Sequence, residues 1–192
     1  MAKRAESAHV AKIRAHQVLL LVDLIHDFEC EDGALLHRRT QPIVPAVVKL
    51  RRAARAAGIP VIYVNDHFGR WRSSWEKTVE RATRARRGDV ARRLQPAGDD
   101  WFVLKPGRSA FHQTPLEALL DMFGAREITI AGITSDMCVM ATASDALQHR
   151  LRCRVPADTS ATLVDERHER ALWLMRHSLD VDTRPAAALS WT

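Results

Sequence analysis

Residues 127–149 read EITIAGITSDMCVMATASDALQH, and this stretch contains the pattern that decides the fold. A β-rich apolar run over 127–131 predicts a strand, which a glycine, Gly132, follows. A polar turn comes next, and Cys138 then opens a helix of small residues that we predict over 138–149. A strand, a turn and a helix in this order are the units from which parallel sheets are built.

The same alternation of strand and helix continues in both directions along the chain. Apolar runs predict further strands over 16–22, 60–64, 101–104, 151–155 and 181–183. Apolar periodicity and helix-ending glycines predict helices over 42–57, 76–87, 114–124 and 165–177. Such alternation implies right-handed βαβ units. We therefore predict a three-layer α/β/α sandwich around a mostly parallel sheet of about six strands, a Rossmann-like fold.

Length and composition indicate one globular domain. The 192 residues are 46% hydrophobic and 27% charged, which is ordinary for a folded domain with its own core. We expect residues 16–192 to form this single domain and the polar residues 1–15 to form a flexible arm. The sequence contains no apolar run of membrane-spanning length, and its first residues lack a secretory apolar core. We therefore expect a cytoplasmic protein with no membrane partner.

The cysteines and the positive charge exclude further classes. Three cysteines without CxxC spacing argue against a disulfide framework and against a cysteine-rich zinc site. Much of the net charge of +6 comes from arginines within Arg81–Arg93. No aromatic residues alternate with these arginines and no nucleic-acid-binding motif accompanies them, so we do not expect a nucleic-acid partner. A solvated helix face that attracts anions is the alternative interpretation of this basic stretch.

Cys138 has two interpretations on local evidence. A thiol at the start of a helix faces the positive end of the helix dipole and free backbone N–H groups, which favour the thiolate. The same N–H groups can hold a developing oxyanion. A lone cysteine in a helical turn is equally typical of a small buried hydrophobic residue. The local sequence leaves both interpretations open.

Polar residues at two other strand ends support a catalytic interpretation. Asp23 follows the first predicted strand, and Lys105 follows the third. Because the carboxyl ends of parallel strands meet at one edge of a sheet, we expect Asp23, Lys105 and Cys138 to converge there. Cys138 would be the nucleophile, and Asp23 would accept its proton and later return it to a leaving group. The charge of Lys105 would keep the thiolate and the carboxylate ionised.

These three positions lie in segments that together resemble the isochorismatase-like cysteine hydrolases. The segments are LLVDLIHDF (20–28), VLK (103–105) with Ser109, Phe111 and Thr114, and GITSDMCV (132–139) with Thr142, Ala143 and Asp145. The similarity runs from about Val18 to Ala161 in the expected order and spacing.

The resemblance implies a fold, a catalytic set and a reaction. It implies a three-layer α/β fold with Asp23, Lys105 and Cys138 as the catalytic residues. It also implies a cis peptide bond between Ile133 and Thr134, and an oxyanion hole made of the backbone N–H groups of Thr134 and Cys138. Relatives with the cysteine hydrolyse amide, carbamoyl or ureido C–N bonds of small molecules through a thioester, and they usually form dimers or tetramers. We therefore expect a small-molecule substrate and a homo-oligomer.

The chain departs from the family in two places. Ile25 and His26 stand where the first motif often has Gln and Asn. The nicotinamidase branch binds zinc through an Asp-x-His pair, whereas Asp66 and His67 are adjacent here. Neighbouring residues of a continuing strand point to opposite faces, so this pair does not reproduce the chelate. We therefore expect no metal, no cofactor and a main substrate other than nicotinamide.

The candidate substrate pocket consists of Phe28, His67, Trp71, Trp75 and Phe111. The loop that contains three of them is aromatic and cationic, which suits a planar or anionic substrate. Alternatively, the two tryptophans pack in a lid or a subunit interface. For His67 itself, the favoured interpretation is a polar loop residue near the rim of the pocket.

Two other functions fit the same fold. The first is vinyl-ether hydrolysis of isochorismate with Asp23 as the general acid, and the presence of Cys138 argues against it. The second is a non-catalytic binding protein that uses the arginine-rich stretch. That protein would have an unreactive Cys138 and would bind polyanions in a strongly salt-dependent way.

Overall fold

A computed structural model describes residues 14–191 of the chain. The predicted arm, residues 1–15, therefore lies outside the described residues except for its last two. The backbone N–H of Ala15 donates to the carbonyl of Phe123 at 3.0 Å, which joins the first described residues to the domain. Within the described part of the chain, helices are too short or too polar to cross a membrane.

The centre of the molecule is a parallel sheet. Its strands are β1 (Gln17–Val22), β2 (Val61–Asp66), β3 (Trp101–Lys105), β4 (Glu127–Ile133), β5 (Arg152–Arg154) and β6 (Ser160–Ala161). The order is β3-β2-β1-β4-β5, and β6 pairs with β4. Each of these pairings is parallel. All residues of β1 and β4 are buried, as expected for central strands that are covered on both faces.

Helices cover both faces of the sheet. They are α1 (Gly33–Thr40), α2 (Val44–Ala56), α3 (Trp75–Arg84), α4 (Asp89–Arg93), α5 (Leu116–Phe123), α6 (Met140–Gln148) and α7 (Asp165–Ser178). One core contains Leu20 of β1 together with side chains of α5, α6 and α7. The other contains Leu21 of β1 together with side chains of α1 to α4. The predicted α/β architecture with a mostly parallel sheet is confirmed.

The structure differs from the predicted elements where these are short. The helix α1 was not predicted, because eight residues are too few to show a clear apolar period. The predicted strand over 181–183 is a single bridge between Asp182 and Arg154. The sixth strand is instead the two-residue β6. The helix predicted from Cys138 begins earlier, with a π-helical turn over Ser135–Val139.

The strand order places a topological switch point between β1 and β4. The chain builds the sheet outward from β1 in one direction through β2 and β3, and in the other through β4 and β5. The loops after β1 and β4 therefore diverge, and such a switch point is where open α/β sheets bind ligands. Gly132 allows the two strands to approach, because a Cβ at this position would lie 2.0 Å from the carbonyl oxygen of Val22.

Candidate active site

Three side chains from three strand ends meet at the switch point. Lys105, the last residue of β3, is fully buried. Its Nζ lies 2.9 Å from Oδ2 of Asp23 and 3.5 Å from Sγ of Cys138. The ammonium also donates to the carbonyl of Gly107 at 2.9 Å. The structure thus places one buried cation between a carboxylate and a thiol.

Asp23 is held in place by its backbone and by both of its carboxylate oxygens. It has a left-handed backbone (φ 54°), and its N–H donates to the carbonyl of Val64 at 2.9 Å. Oδ1 accepts the backbone N–H of Asp66 at 2.7 Å, and Oδ2 pairs with Lys105. Only 5% of the residue is exposed, and burial of a carboxylate requires such partners.

Lys105 stays charged at neutral pH. Burial by itself opposes the ammonium form, but the negative charge of Asp23 and its hydrogen bond, together with the charge of Asp66, outweigh burial and raise the pKa of Lys105 above its ordinary value. The centre therefore contains a permanent positive charge that no bulk water screens.

The thiol of Cys138 is protonated in the resting site. Burial, followed by the charge of Asp23, raises the pKa of Cys138 to about 12, and the opposing effect of Lys105 is smaller. A hydrogen bond to Asp23 also favours the thiol form. This differs from the sequence-based expectation of a thiolate, because the start of the helix is buried and a carboxylate lies beside the sulfur. The resting pair is thus a thiol and a carboxylate.

The turn that carries Cys138 is fixed from three directions. The hydroxyl of Thr142 donates to the carbonyl of Cys138 at 2.7 Å and accepts the N–H of Ala110 at 3.0 Å. Asp136 accepts the hydroxyl of Thr162 at 2.6 Å. It also forms an ion pair with the first turns of α7, through Arg167.

The two residues before Asp136 also have defined positions. The hydroxyl of Ser135 lies 3.0 Å from Nδ1 of His168, and Ser135 is fully buried. The peptide bond between Ile133 and Thr134 is cis. Sequence reasoning missed Thr162, Arg167 and His168, because no local pattern signals contacts over more than 25 residues.

Two of the candidate pocket residues lie beside this centre. His67 follows Asp66, whose Oδ2 is 3.8 Å from Nζ of Lys105. Both ring nitrogens of His67 are buried and lack a hydrogen-bond partner among the described residues. The ring of Trp71 packs against the ring of His67 with 4.4 Å between the centroids, and Trp71 itself is 77% exposed. In the part of the chain that the structure describes, no group of three potential metal ligands is close enough to hold an ion.

The other three aromatic residues pack against rings outside the Asp23, Lys105 and Cys138 contacts. Phe28 is completely buried in the core, where its ring contacts the ring of His26, so it lines no open pocket. Phe111 stacks on His149, which follows α6, whereas Cys138 precedes that helix. Trp75 packs on Phe102 of β3. Phe28 and Phe111 belong to the two cores, which the sequence pattern could not distinguish from substrate contact, whereas Trp75 is 43% exposed.

Comparisons with known proteins identify the family of the chain. A family model described as "Isochorismatase domain" matches residues 17–183. The uncharacterized isochorismatase family protein YaaI of Bacillus subtilis is 37% identical over 166 residues, which are 86% of this chain and 92% of that protein. The ureidoacrylate amidohydrolase RutB of Methylorubrum extorquens is 26% identical over 170 residues, covering 74% of this chain and 68% of RutB. The structure of the nicotinamidase SaPncA from Staphylococcus aureus superposes with a TM-score of 0.70 at 25% identity, covering 88% of this chain and 99% of that one.

Proposed function

The chain belongs to the isochorismatase family of hydrolases, and we propose that it cleaves a C–N bond of a small amide, carbamoyl or ureido compound. One observation carries the proposal. The buried ammonium of Lys105 contacts both the carboxylate of Asp23 and the sulfur of Cys138. A nucleophile, a proton acceptor and a fixed positive charge are the groups that covalent hydrolysis requires.

In the first half of the reaction, the sulfur of Cys138 attacks the substrate carbonyl while its proton moves to Asp23. The negative charge on the carbonyl oxygen is held by the backbone N–H groups of Thr134 and Cys138. Asp23 then gives the proton to the departing nitrogen, the C–N bond breaks, and a thioester remains on Cys138. In the second half, water attacks the thioester and transfers a proton through Asp23 to the sulfur, which releases the acid.

The protonated thiol determines how this reaction must start. Because burial and the charge of Asp23 raise the pKa of Cys138 to about 12, the thiol form predominates at pH 7. Attack is therefore coupled to proton transfer to Asp23, rather than preceded by formation of a free thiolate. Oxyanion donors offset the free energy needed to take the proton from the thiol, since removal of one such donor typically lowers kcat by about 10²–10³.

The similar proteins favour C–N cleavage over vinyl-ether hydrolysis. RutB is named a ureidoacrylate amidohydrolase and SaPncA a nicotinamidase, and both names describe cleavage of a C–N bond. The thiol at position 138 supports the same conclusion, because acid-catalysed vinyl-ether hydrolysis uses water and needs no nucleophilic side chain.

We also propose a cytoplasmic homo-oligomer, a dimer or a tetramer. The free thiols of Cys30, Cys138 and Cys153 support a reducing compartment. The exposed side chains of Trp173 and Leu174 on α7 support association with a second copy.

A panel of primary amides, N-carbamoyl amino acids and ureides tests the proposed reaction. Ammonia release is measured for the wild-type protein, for Cys138→Ala and for Cys30→Ala, in which an exposed cysteine serves as the matched control. We expect Cys138→Ala to abolish turnover and Cys30→Ala to keep it. Mass spectrometry of the quenched wild-type reaction should detect an acyl group on Cys138.

Substantial activity of Cys138→Ala on the panel would exclude the nucleophile. Retained hydrolysis of isochorismate by Cys138→Ala would instead identify the vinyl-ether reaction with Asp23 as the acid.

A further inference from the structure

A charged groove is lined by α3 and by the loops that follow β1 and β2. It has a volume of about 750 Å³, and its charged lining consists of Asp27, Glu29, Arg70, Lys77, Glu80, Arg81 and Arg84. The groove shares Asp27, Arg70 and Arg81 with a smaller cavity, whose wall also contains Asp66 and His67. Oδ2 of Asp66, in the wall of the smaller cavity, lies 3.8 Å from Nζ of Lys105, so the lining of this cavity adjoins the catalytic ammonium.

Arg81 is the one half-buried cation among the described residues that line the groove. It is half-buried, and within residues 14–191 it makes no ion pair and no side-chain hydrogen bond. Arg84, one turn further along α3, is in contrast paired with Glu80 at 2.7 Å. Partly buried charges are normally paired, and a guanidinium presents a fork of donors that matches a carboxylate. Arg81 therefore has the charge and the available N–H donors to bind an anion.

The remaining charges of the groove favour an anion as well. The carboxylate of Asp27 accepts the N–H of Glu29 at 3.1 Å and lies 3.8 Å from Nδ1 of His26. With Glu80 and Arg84 paired to each other, three cationic side chains face two acidic ones. Arg70 is the second cation that lines both cavities.

His67 lies between the groove and the catalytic groups. Its backbone N–H donates to the carbonyl of Lys105 at 3.2 Å, which fixes the residue at the edge of the sheet. Both ring nitrogens are buried without a partner among the described residues, and such atoms are rare unless a water or a ligand satisfies them. A neutral imidazole offers one donor and one acceptor, which complements an amide or ureido group.

We propose that this groove is a subsite for a carboxylate that the substrate carries away from its scissile C–N bond. Arg81 binds the carboxylate, Arg70 adds a second positive charge, and His67 hydrogen-bonds the ureido or amide group next to the catalytic centre. This inference rests on the proposed function. It also gives a role to the first residue of the basic stretch, Arg81–Arg93.

Binding to the Cys138→Ala variant tests the subsite without requiring turnover. The probes are N-carbamoylglycine, N-carbamoyl-β-alanine and N-carbamoyl-γ-aminobutyrate, together with the methyl ester of each, and calorimetry measures their Kd. We expect at least one acid to bind about tenfold more tightly than its ester, and we expect the binding of this acid to weaken with added salt. Adding Arg81→Gln should remove this preference, whereas adding Arg86→Gln, an exposed arginine outside the groove, should keep it.

A second variant tests the role of His67. His67→Phe keeps an aromatic ring against Trp71 and removes both nitrogens, so it should weaken acids and esters equally. Thermal melting verifies that each variant is folded.

The subsite is wrong if no acid binds more tightly than its ester, or if Arg81→Gln and Arg86→Gln behave alike. These outcomes are independent of the proposed reaction, whose test is ammonia release by the protein with Cys138 intact. A clear acid preference in a protein that releases no ammonia would support the subsite and contradict the reaction.

Discussion

The protonation state of the Cys138 thiol depends on the neighbouring carboxylate of Asp23. The carboxylate of Asp23 accepts the backbone N–H of Asp66 and forms an ion pair with the ammonium of Lys105. Burial and this carboxylate together keep the sulfur of Cys138 protonated. The arrangement protects the thiol from adventitious reaction, because free electrophiles react with thiolates. In the proposed reaction, stabilisation of the developing oxyanion of the substrate drives transfer of the thiol proton from Cys138 to Asp23.

Alkylation of Cys138 should report this balance directly. Since the pKa of Cys138 is about 12, the rate of its reaction with iodoacetamide should rise about tenfold per pH unit from pH 7 to 10. Asp23→Asn removes a charge that raises the pKa, so alkylation at pH 8 should become faster although turnover is lost. Lys105→Met removes a charge that lowers the pKa, so alkylation should become slower still. Peptide mass spectrometry in a Cys30→Ala background measures these rates.

The wild-type pH profile also separates the two interpretations of the thiol. A rate that levels off below pH 8 would show a stabilised thiolate, as the helix start alone predicts, and would contradict the raised pKa. Equal rates in Asp23→Asn and Lys105→Met would show that neither charge reaches the sulfur.

At the scale of elements, the unit formed by β4, the Ser135–Val139 turn and α6 positions Cys138. Gly132 pairs with Val22 in the register of β4 with β1. Strand β4 ends one residue later, at Ile133, and Thr134 leads into the turn. Polar contacts from Thr142, Thr162 and α7 then hold the turn against the rest of the domain. The reactive sulfur is therefore placed by a close strand contact on one side and by a helix on the other.

Gly132→Ala should disrupt this unit. The residue has φ 141°, and an added Cβ would lie 2.0 Å from the carbonyl oxygen of Val22, a backbone atom that cannot move aside. We expect a loss of more than about 4 kcal/mol in the free energy of unfolding, or no folded protein. Gly58→Ala is the matched control, because Gly58 also has a positive φ (70°) but has open space around it. Its cost should be about 1–2 kcal/mol, and urea unfolding compares the two. Equal costs would contradict the importance of the close contact.

The sequence predicted those parts of the site that depend on strand ends. Asp23 and Lys105 follow apolar runs directly, so the parallel topology alone brings them to one edge of the sheet. The ionisation of Cys138 could not be predicted in this way, because it depends on burial and on the distance to Asp23. Phe28 and Phe111 were assigned to a pocket for a similar reason, since a sequence does not show which aromatic rings the core has already taken.

At the scale of the whole molecule, two cores share one sheet. Strand β1 contributes Leu20 to the core under α5 to α7, and Leu19 and Leu21 to the core under α1 to α4. Neighbouring residues of the same buried strand thus support opposite faces. Neither face can lose its packing without exposing the strand that supports the other, so the described domain should unfold as one unit.

Leu50→Ala and Leu120→Ala test this coupling as a matched pair. Both leucines are helical and 3% exposed, with Leu50 in the core under α1 to α4 and Leu120 in the core under α5 to α7. Each variant should lose about 2–5 kcal/mol of the free energy of unfolding through a cavity. In both, far-UV circular dichroism and tryptophan fluorescence should give coincident urea transitions at a lower midpoint. Two separated transitions in either variant would show that the faces fold independently. The switch point between β1 and β4 would then depend on one core alone, and activity should disappear with that core's transition rather than with both.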